Sequence, residues 1–151
     1  MSIDEIAVDA PYDALRAAGT LTRLVRVLDQ ATRDLDQPDH LGISELSILG
    51  QVDRGNDLPS GIARTLRLDP ARVTRLSDRL VTLNLLRREQ DTEDRRRCHL
   101  VLTPEGDGRL ETGRRALVDV VERVLDRLSP NEREGLLSGL EAARSVLDSN
   151  M

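Results

Sequence analysis

R-R-E-Q-D-T-E-D-R-R-R-C-H-L-V-L-T-P-E-G, residues 87–106, decides how the rest of the chain is read. Leu85 to Gln90 and Cys98 to Thr103 read as two short strands. In the second, Cys98, Leu100 and Leu102 alternate onto one face and His99, Val101 and Thr103 onto the other. The tip between them is charged and has no apolar face to bury, so the guanidiniums of Arg95, Arg96 and Arg97 are expected to meet solvent or a polyanion. Thr103-Pro104 then supplies an N-cap and a first-turn proline, and a helix begins. A charged hairpin running into a capped helix has the form of a β-wing.

Working upstream, Asp69-Pro70 is a second cap and first-turn pair, and the helix it opens is expected to bury Val73, Leu76, Leu80 and Leu83. At 100° per residue Ala71, Thr74, Arg75 and Asp78 fall on the opposite side, with Arg72 and Arg79 flanking. Small residues interleaved with arginines suit close approach to a groove. A short helix opening at Leu58-Pro59 carries Ile62, Ala63 and Leu66 inward. The one before it is expected to start with Ser44 as N-cap, bury Leu46, Leu49 and Val52, and end before Gly55. A first helix spans Ala14 to Leu35, with Leu21, Leu24, Val25, Leu28 and Leu35 on one stripe and Pro38 as its stop.

Downstream of the wing, Leu110, Leu117, Val120, Val121, Val124 and Leu128 form a stripe too long for one small winged lobe to cover, so something else must bury it. Ser129-Pro130-Asn131-Glu132 is a capping box that starts a last helix bearing Leu136, Leu140, Ala143 and Leu147.

Composition narrows the function. The net charge of -5 speaks against nucleic acid until its distribution is read: residues 1–58 hold 5 arginines and 11 acids (-6), residues 59–103 hold 10 and 6 (+4), and residues 104–151 hold 7 and 10 (-3). A locally basic middle third can bind DNA while acidic ends limit non-specific sticking. All 22 basic residues are arginine, which reflects either codon usage or the better match of guanidinium to phosphate and base edges. Tyr12 is the single aromatic, so the core must be aliphatic, and Cys98, the single cysteine, cannot form an intrachain disulfide. With no long apolar run and an acidic start, the expected location is the cytoplasm, with no membrane partner. No Gly-rich phosphate loop, nucleophile elbow or zinc-protease motif is present, so no enzyme activity and no cofactor is expected. His40, His99 and Cys98 have no metal-site spacing.

The order of elements and the wing segment together resemble the MarR (multiple antibiotic resistance regulator) family of bacterial transcription regulators. Asp94, Arg96, Leu102, Thr103 and Gly106 stand where that family's wing motif has Asp-x-Arg, then Leu-Thr, then Gly, and D-P-A-R-V-T-R-L-S-D-R-L, residues 69–80, is similar to its recognition helix. The resemblance covers nearly the whole chain. It implies a mainly α fold with a small β-wing, a winged helix-turn-helix lobe at 41–105, and helical regions at 10–37 and 106–150 that interlock in a homodimer. It further implies a double-stranded DNA partner with a pseudo-palindromic operator, half-sites about 34 Å apart, and repression released by a small aromatic or phenolic effector.

On this reading Ala71, Arg72, Thr74 and Arg75 enter the major groove, and Asp94, Arg95, Arg96 and Arg97 present the wing to the adjacent minor groove. Arg96 also has a local reading, pairing with Asp94, and the two are compatible because a carboxylate can orient a guanidinium. Arg95 and Arg97 either touch phosphates or are a solvated charge run. Arg64 and Arg67 suit phosphates, Arg79 has an alternative inside the lobe, and Asp78 is discordant beside DNA. Cys98 reads as an inert inward residue rather than a redox switch. With Tyr12 alone able to stack on a ring, Arg16, His40 and Arg115 are the candidates for an anionic effector group. Two other classes remain: a winged-helix interaction module, and a small-molecule-binding protein that does not bind DNA.

Overall fold

The computed structural model describes residues 12–35, 40–94 and 97–149. Its order is α1 (Tyr12–Arg33), α2 (Ile43–Asp53), α3 (Pro59–Leu66), α4 (Pro70–Thr82), β1 (Leu86–Gln90), β2 (Cys98–Leu102), α5 (Pro104–Leu125) and α6 (Pro130–Ser149). The chain divides into two compact units, one ending at Ala116 and the other beginning at Leu117.

The core of the first unit lies where α2, α3, α4, the wing root and the start of α5 meet. Ile48, Leu49, Ile62, Val73 and Leu80 are fully buried there with Leu85, Leu86 and Leu100. Burial of each such side chain stabilises by about 1.5–3 kcal/mol. Among the described residues the core is aliphatic. On α4 the inward row is Val73, Ser77 and Leu80, while Leu76 is half-buried and Leu83 is the half-buried C-cap. The expected row of Val73, Leu76, Leu80 and Leu83 therefore faces the core, with Leu76 and Leu83 partly covered, and Ser77 is buried beside it.

Two boundaries differ from expectation. α2 is capped at Gly42, not Ser44, since two carboxylates satisfy its first amides: Gly42 N–H donates to Glu45 Oε2 at 2.7 Å and Ile43 N–H to Asp29 Oδ1 of α1 at 2.8 Å. Leu128 lies beyond the end of α5. By contrast, Gly55 has the expected left-handed φ of 84° just past α2. Asp69 Oδ1 accepts Ala71 N–H at the start of α4. Pro38 falls outside the described residues.

β1 and β2 are antiparallel with Leu86 opposite Leu102 and Gln90 opposite Cys98. The wing root is fixed by Thr103. Its N–H donates to the Leu85 carbonyl at 3.1 Å, its hydroxyl donates to the Asn84 carbonyl at 2.6 Å, and that hydroxyl accepts Gly106 N–H at 2.9 Å. A Cβ on Gly106 would collide with the Leu85 carbonyl, so α5 can approach the joint between α4 and β1 only with glycine at that position.

The second unit comprises the end of α5 and α6. Ser129 and Glu132 form the expected capping box: Glu132 Oε2 accepts Ser129 N–H at 2.9 Å, and Ser129 Oγ accepts Glu132 N–H at 3.4 Å. Val118, Val121 and Val124 are exposed, as are Leu137, Leu140, Val146 and Leu147 of α6, which has no buried residue. In the first unit α1 likewise exposes Leu21, Leu24, Val25 and Val27.

Candidate nucleic-acid interface

α3 and α4 are joined by a turn in which Arg67 takes a left-handed φ of 52°, and α4 then presents Ala71, Arg72, Thr74 and Arg75 to solvent. The Thr74 hydroxyl donates to the Pro70 carbonyl at 3.0 Å, so it is spent on its own helix. Arg72 Nη2 donates to Ser44 Oγ at 3.2 Å, which steers it along the start of α2. Among the described residues, no hydrogen bond or ion pair engages the guanidinium of Arg75 or of Arg64.

The neighbouring cations are neutralised within the lobe. Arg79 pairs with buried Glu45, realising its interior alternative, and Arg88 Nη2 pairs with Asp78 Oδ1 at 2.6 Å. The second pair gives Asp78 its role: it holds the wing strand against α4. Arg87 pairs with Glu89 at 2.8 Å along β1.

At the wing tip, Asp91 Oδ1 accepts Glu93 N–H at 2.7 Å and Asp94 N–H at 2.8 Å, and Asp91 Oδ2 lies 2.9 Å from His99 Nε2. These amide bonds, led by that from Asp94, together with His99 hold the Asp91 carboxyl far below the usual carboxylate range. Asp91, then Asp57 at 3.0 Å from Nδ1, raise the His99 imidazole above its ordinary value. Asp94 pairs with Arg97 at 3.5 Å. Arg95 and Arg96 lie outside the described residues. Cys98 is half-buried on the Leu100 side, with its thiol 4.0 Å from the His99 carbonyl.

Of the residues proposed for an effector, the described side chains of Arg16, His40 and Arg115 are all exposed. Arg16 is exposed on α1, Arg115 is exposed and pairs with Glu111 at 2.9 Å, and Tyr12 opens α1. His40 is exposed, with Nδ1 2.8 Å from the Arg33 carbonyl. A cleft in the first unit is lined instead by Thr32, Leu35, Leu41, Leu46, Arg109 and Thr112, with Gly113 at its floor. It is tight: a Cβ on Gly113 would come within 2.5 Å of Leu46. Ser44, Glu45, Asp57 and His99 were not among the site residues read from sequence. The spacing of Gly42 and Glu45 was the one local signal for Glu45.

Residues 41–97 match the sequence model of the MarR family. That span contains α2, α3, α4 and the described wing tip. Over that span the chain is similar to the MarR family. A Bacillus subtilis (strain 168) protein named HTH-type transcriptional repressor MdtR is 37% identical over 79 residues, 50% of this chain and 51% of its own length. The match thus spans about half the length of that relative. Wild-type MarR of E. coli in its apo form superposes with a TM-score of 0.73 at 20% identity, covering 89% of this chain and 98% of its own. Streptococcus pneumoniae FabT, solved in complex with DNA, superposes with a TM-score of 0.76 at 21% identity, covering 93% and 100%. At these identities the two structures establish the winged helix-turn-helix fold of MarR proteins and nothing finer.

Proposed function

We propose that this chain is a MarR-type regulator: a homodimeric, sequence-specific DNA-binding transcription regulator, acting as a repressor that a small aromatic or phenolic effector releases. The observation that carries the reading is the contrast on α4. Arg75 is exposed without an internal partner beside Ala71 and Thr74, while Arg79 and Arg88 are neutralised by Glu45 and Asp78. An exposed guanidinium among small side chains, on a helix whose Arg79 is held inside the lobe and whose Asp78 is matched by Arg88 of β1, is suited to base-edge contact in the major groove. The FabT complex and the name of the B. subtilis relative support the same reading.

The lobe at 41–105 reads the duplex, with Ala71, Arg72, Thr74 and Arg75 in the major groove and the wing residues Asp94, Arg95, Arg96 and Arg97 at the minor groove. The helices at 10–37 and 106–150 form the dimer, and their exposed valines and leucines are the surface it covers. The effector opens the cleft beside Thr32 and Arg109, with Tyr12, Arg16, His40 and Arg115 as further candidate contacts.

An anisotropy titration against duplex DNA from upstream of the chain's own gene tests this. Binding is expected to fall by about 0.9 log units per log unit of salt for each phosphate neutralised. Arg75→Ala and Arg96→Ala are expected to weaken it. Sedimentation equilibrium should give a dimer, and Val121→Asp with Leu140→Asp a monomer. Specific binding that survives both arginine changes would overturn the groove assignment, and a monomer that binds the full site would overturn the dimer.

A further inference from the structure

His99 lies between two carboxylates from different parts of the lobe: Asp91 Oδ2 is 2.9 Å from Nε2 and Asp57 Oδ2 is 3.0 Å from Nδ1. A neutral imidazole carries one N–H and one lone pair, so in either tautomer the lone pair would face a carboxylate oxygen at about 3 Å. The imidazolium alone donates to both. Asp57 stands between α2 and α3, and its carbonyl accepts the N–H of Leu100 on β2 at 2.9 Å. Asp91 opens the wing turn. Besides taking the amides of Glu93 and Asp94, it donates its own N–H to the Arg97 carbonyl at 3.1 Å, and Arg97 N–H donates to the Asp94 carbonyl at 2.8 Å.

A continuous chain of contacts therefore runs from the loop between α2 and α3, through His99, to the backbone that brackets Arg95 and Arg96. Two neighbouring carboxylates of the wing have arginine partners of their own. Glu89, the register partner of His99, pairs with Arg87, and Asp94 pairs with Arg97. Asp57 and Asp91 are thus the charges that His99 answers.

We propose that His99, as an imidazolium, is a positioning residue that clamps the wing tip to the loop between α2 and α3, and that duplex binding weakens when the proton is lost. The second half rests on the DNA-binding reading above. Deprotonation places a lone pair against one of the carboxylates and leaves two negative charges uncompensated at the wing. Both effects act against approach to phosphate. Because the folded imidazole titrates above its ordinary value of 6.5, the clamp is fully present below that pH and is lost as pH rises through the raised value.

Nitrogen-15 NMR titration of the free wild-type protein tests the clamp directly. His40 and His99 are the only histidines, and His99→Gln assigns the signal. The expected result is a His99 midpoint above 6.5 that falls in Asp57→Asn and in Asp91→Asn. Anisotropy at constant salt tests the consequence. Wild-type affinity should fall about tenfold through that midpoint, the worth of one charge-assisted hydrogen bond, and His99→Gln should bind weakly with that step gone. A midpoint at or below 6.5 would overturn the clamp. An unchanged affinity and pH profile in His99→Gln would overturn its effect on binding. If the midpoint is raised and responds to both asparagine variants while no duplex binds at any pH, the clamp is supported, and the DNA-binding reading fails together with the second half of the proposal.

Discussion

Arg79 of α4 pairs with the buried carboxylate of Glu45, whose other oxygen accepts the first amide of α2 from Gly42 at 2.7 Å. One side chain thus both starts α2 and ties it to the helix proposed to enter the groove. Glu45→Ala removes the cap and the pair together and is expected to destabilise by about 2 kcal/mol in urea titration. Arg79→Met keeps the cap but leaves the buried Glu45 carboxylate without its guanidinium, so it too should destabilise, by at least about 1 kcal/mol. An Arg79→Met as stable as wild type would show that the pair contributes nothing.

Arg75 and Arg64 are expected to separate specificity from electrostatics. Arg75→Ala should cost roughly 1–3 kcal/mol of operator affinity and relax the preference at one base pair. Arg64→Ala should weaken all duplexes alike and lower the salt slope by about 0.9. Competition titrations with singly substituted operators, repeated at several salt concentrations, distinguish the two. A base-specific loss in Arg64→Ala would reverse their roles.

The hydroxyl of Ser77 is fully buried on the inner side of α4 and has no hydrogen-bond partner among the described residues. Removing an unsatisfied buried polar group is neutral or favourable, and alanine is also the better helix former. Ser77→Ala should raise the urea midpoint or leave it unchanged. A clear loss of stability would mean that the hydroxyl finds a partner in solution.

Gly106 and Gly108 lie on the same turn of α5 but differ in surroundings. A Cβ on Gly106 meets the Leu85 carbonyl, a backbone atom that cannot swing aside, whereas one on Gly108 meets nothing within 4 Å. Gly106→Ala should cost more than about 2 kcal/mol by overpacking. Gly108→Ala should stabilise by up to about 1 kcal/mol as a helix-interior change. Thermal unfolding of the pair checks both signs.

Burial pushes the Asp29 carboxyl up, but its bonds to Arg33 and to Ile43 N–H outweigh that and hold it below the ordinary carboxylate value. A depressed folded value contributes stability that is present above the unfolded value and lost as pH falls through the folded one. At neutral pH wild type should therefore exceed Asp29→Asn in unfolding free energy. The difference should narrow on acidification below 3.8. A difference that does not change with pH would remove Asp29 from the acid response.

What could be read from residues alone was whatever depends on near neighbours. The cap at Asp69, the box at Ser129 and Glu132, the left-handed Gly55 and the strand at Cys98–Leu102 are set within a few positions, and each appears in the fold. Relations that cross the fold were not legible. Ser44 has the chemistry of a cap, yet Gly42 takes the place because Asp29, fourteen residues earlier, supplies the acceptor for Ile43. Asp78 looked out of place until Arg88 returned to it on β1, and no spacing announces that Asp57 will reach His99. At the candidate site, helix periodicity placed Arg72 and Arg75 on the outside, but the competition of Glu45 for Arg79 depends on how α2 packs on α4.

Thr103 serves three elements through one side chain and one amide: it holds the end of α4 at Asn84, the beginning of β1 at Leu85 and the first turn of α5 at Gly106. Changes at any of these positions disturb the same small node, so their energies should not sum. Once one member is lost, a second substitution has less left to break, and double variants should fall short of the total of their singles. Sequence drift in this corner is therefore expected to proceed by coordinated replacement of several residues, while the solvent side of α4 can change one residue at a time.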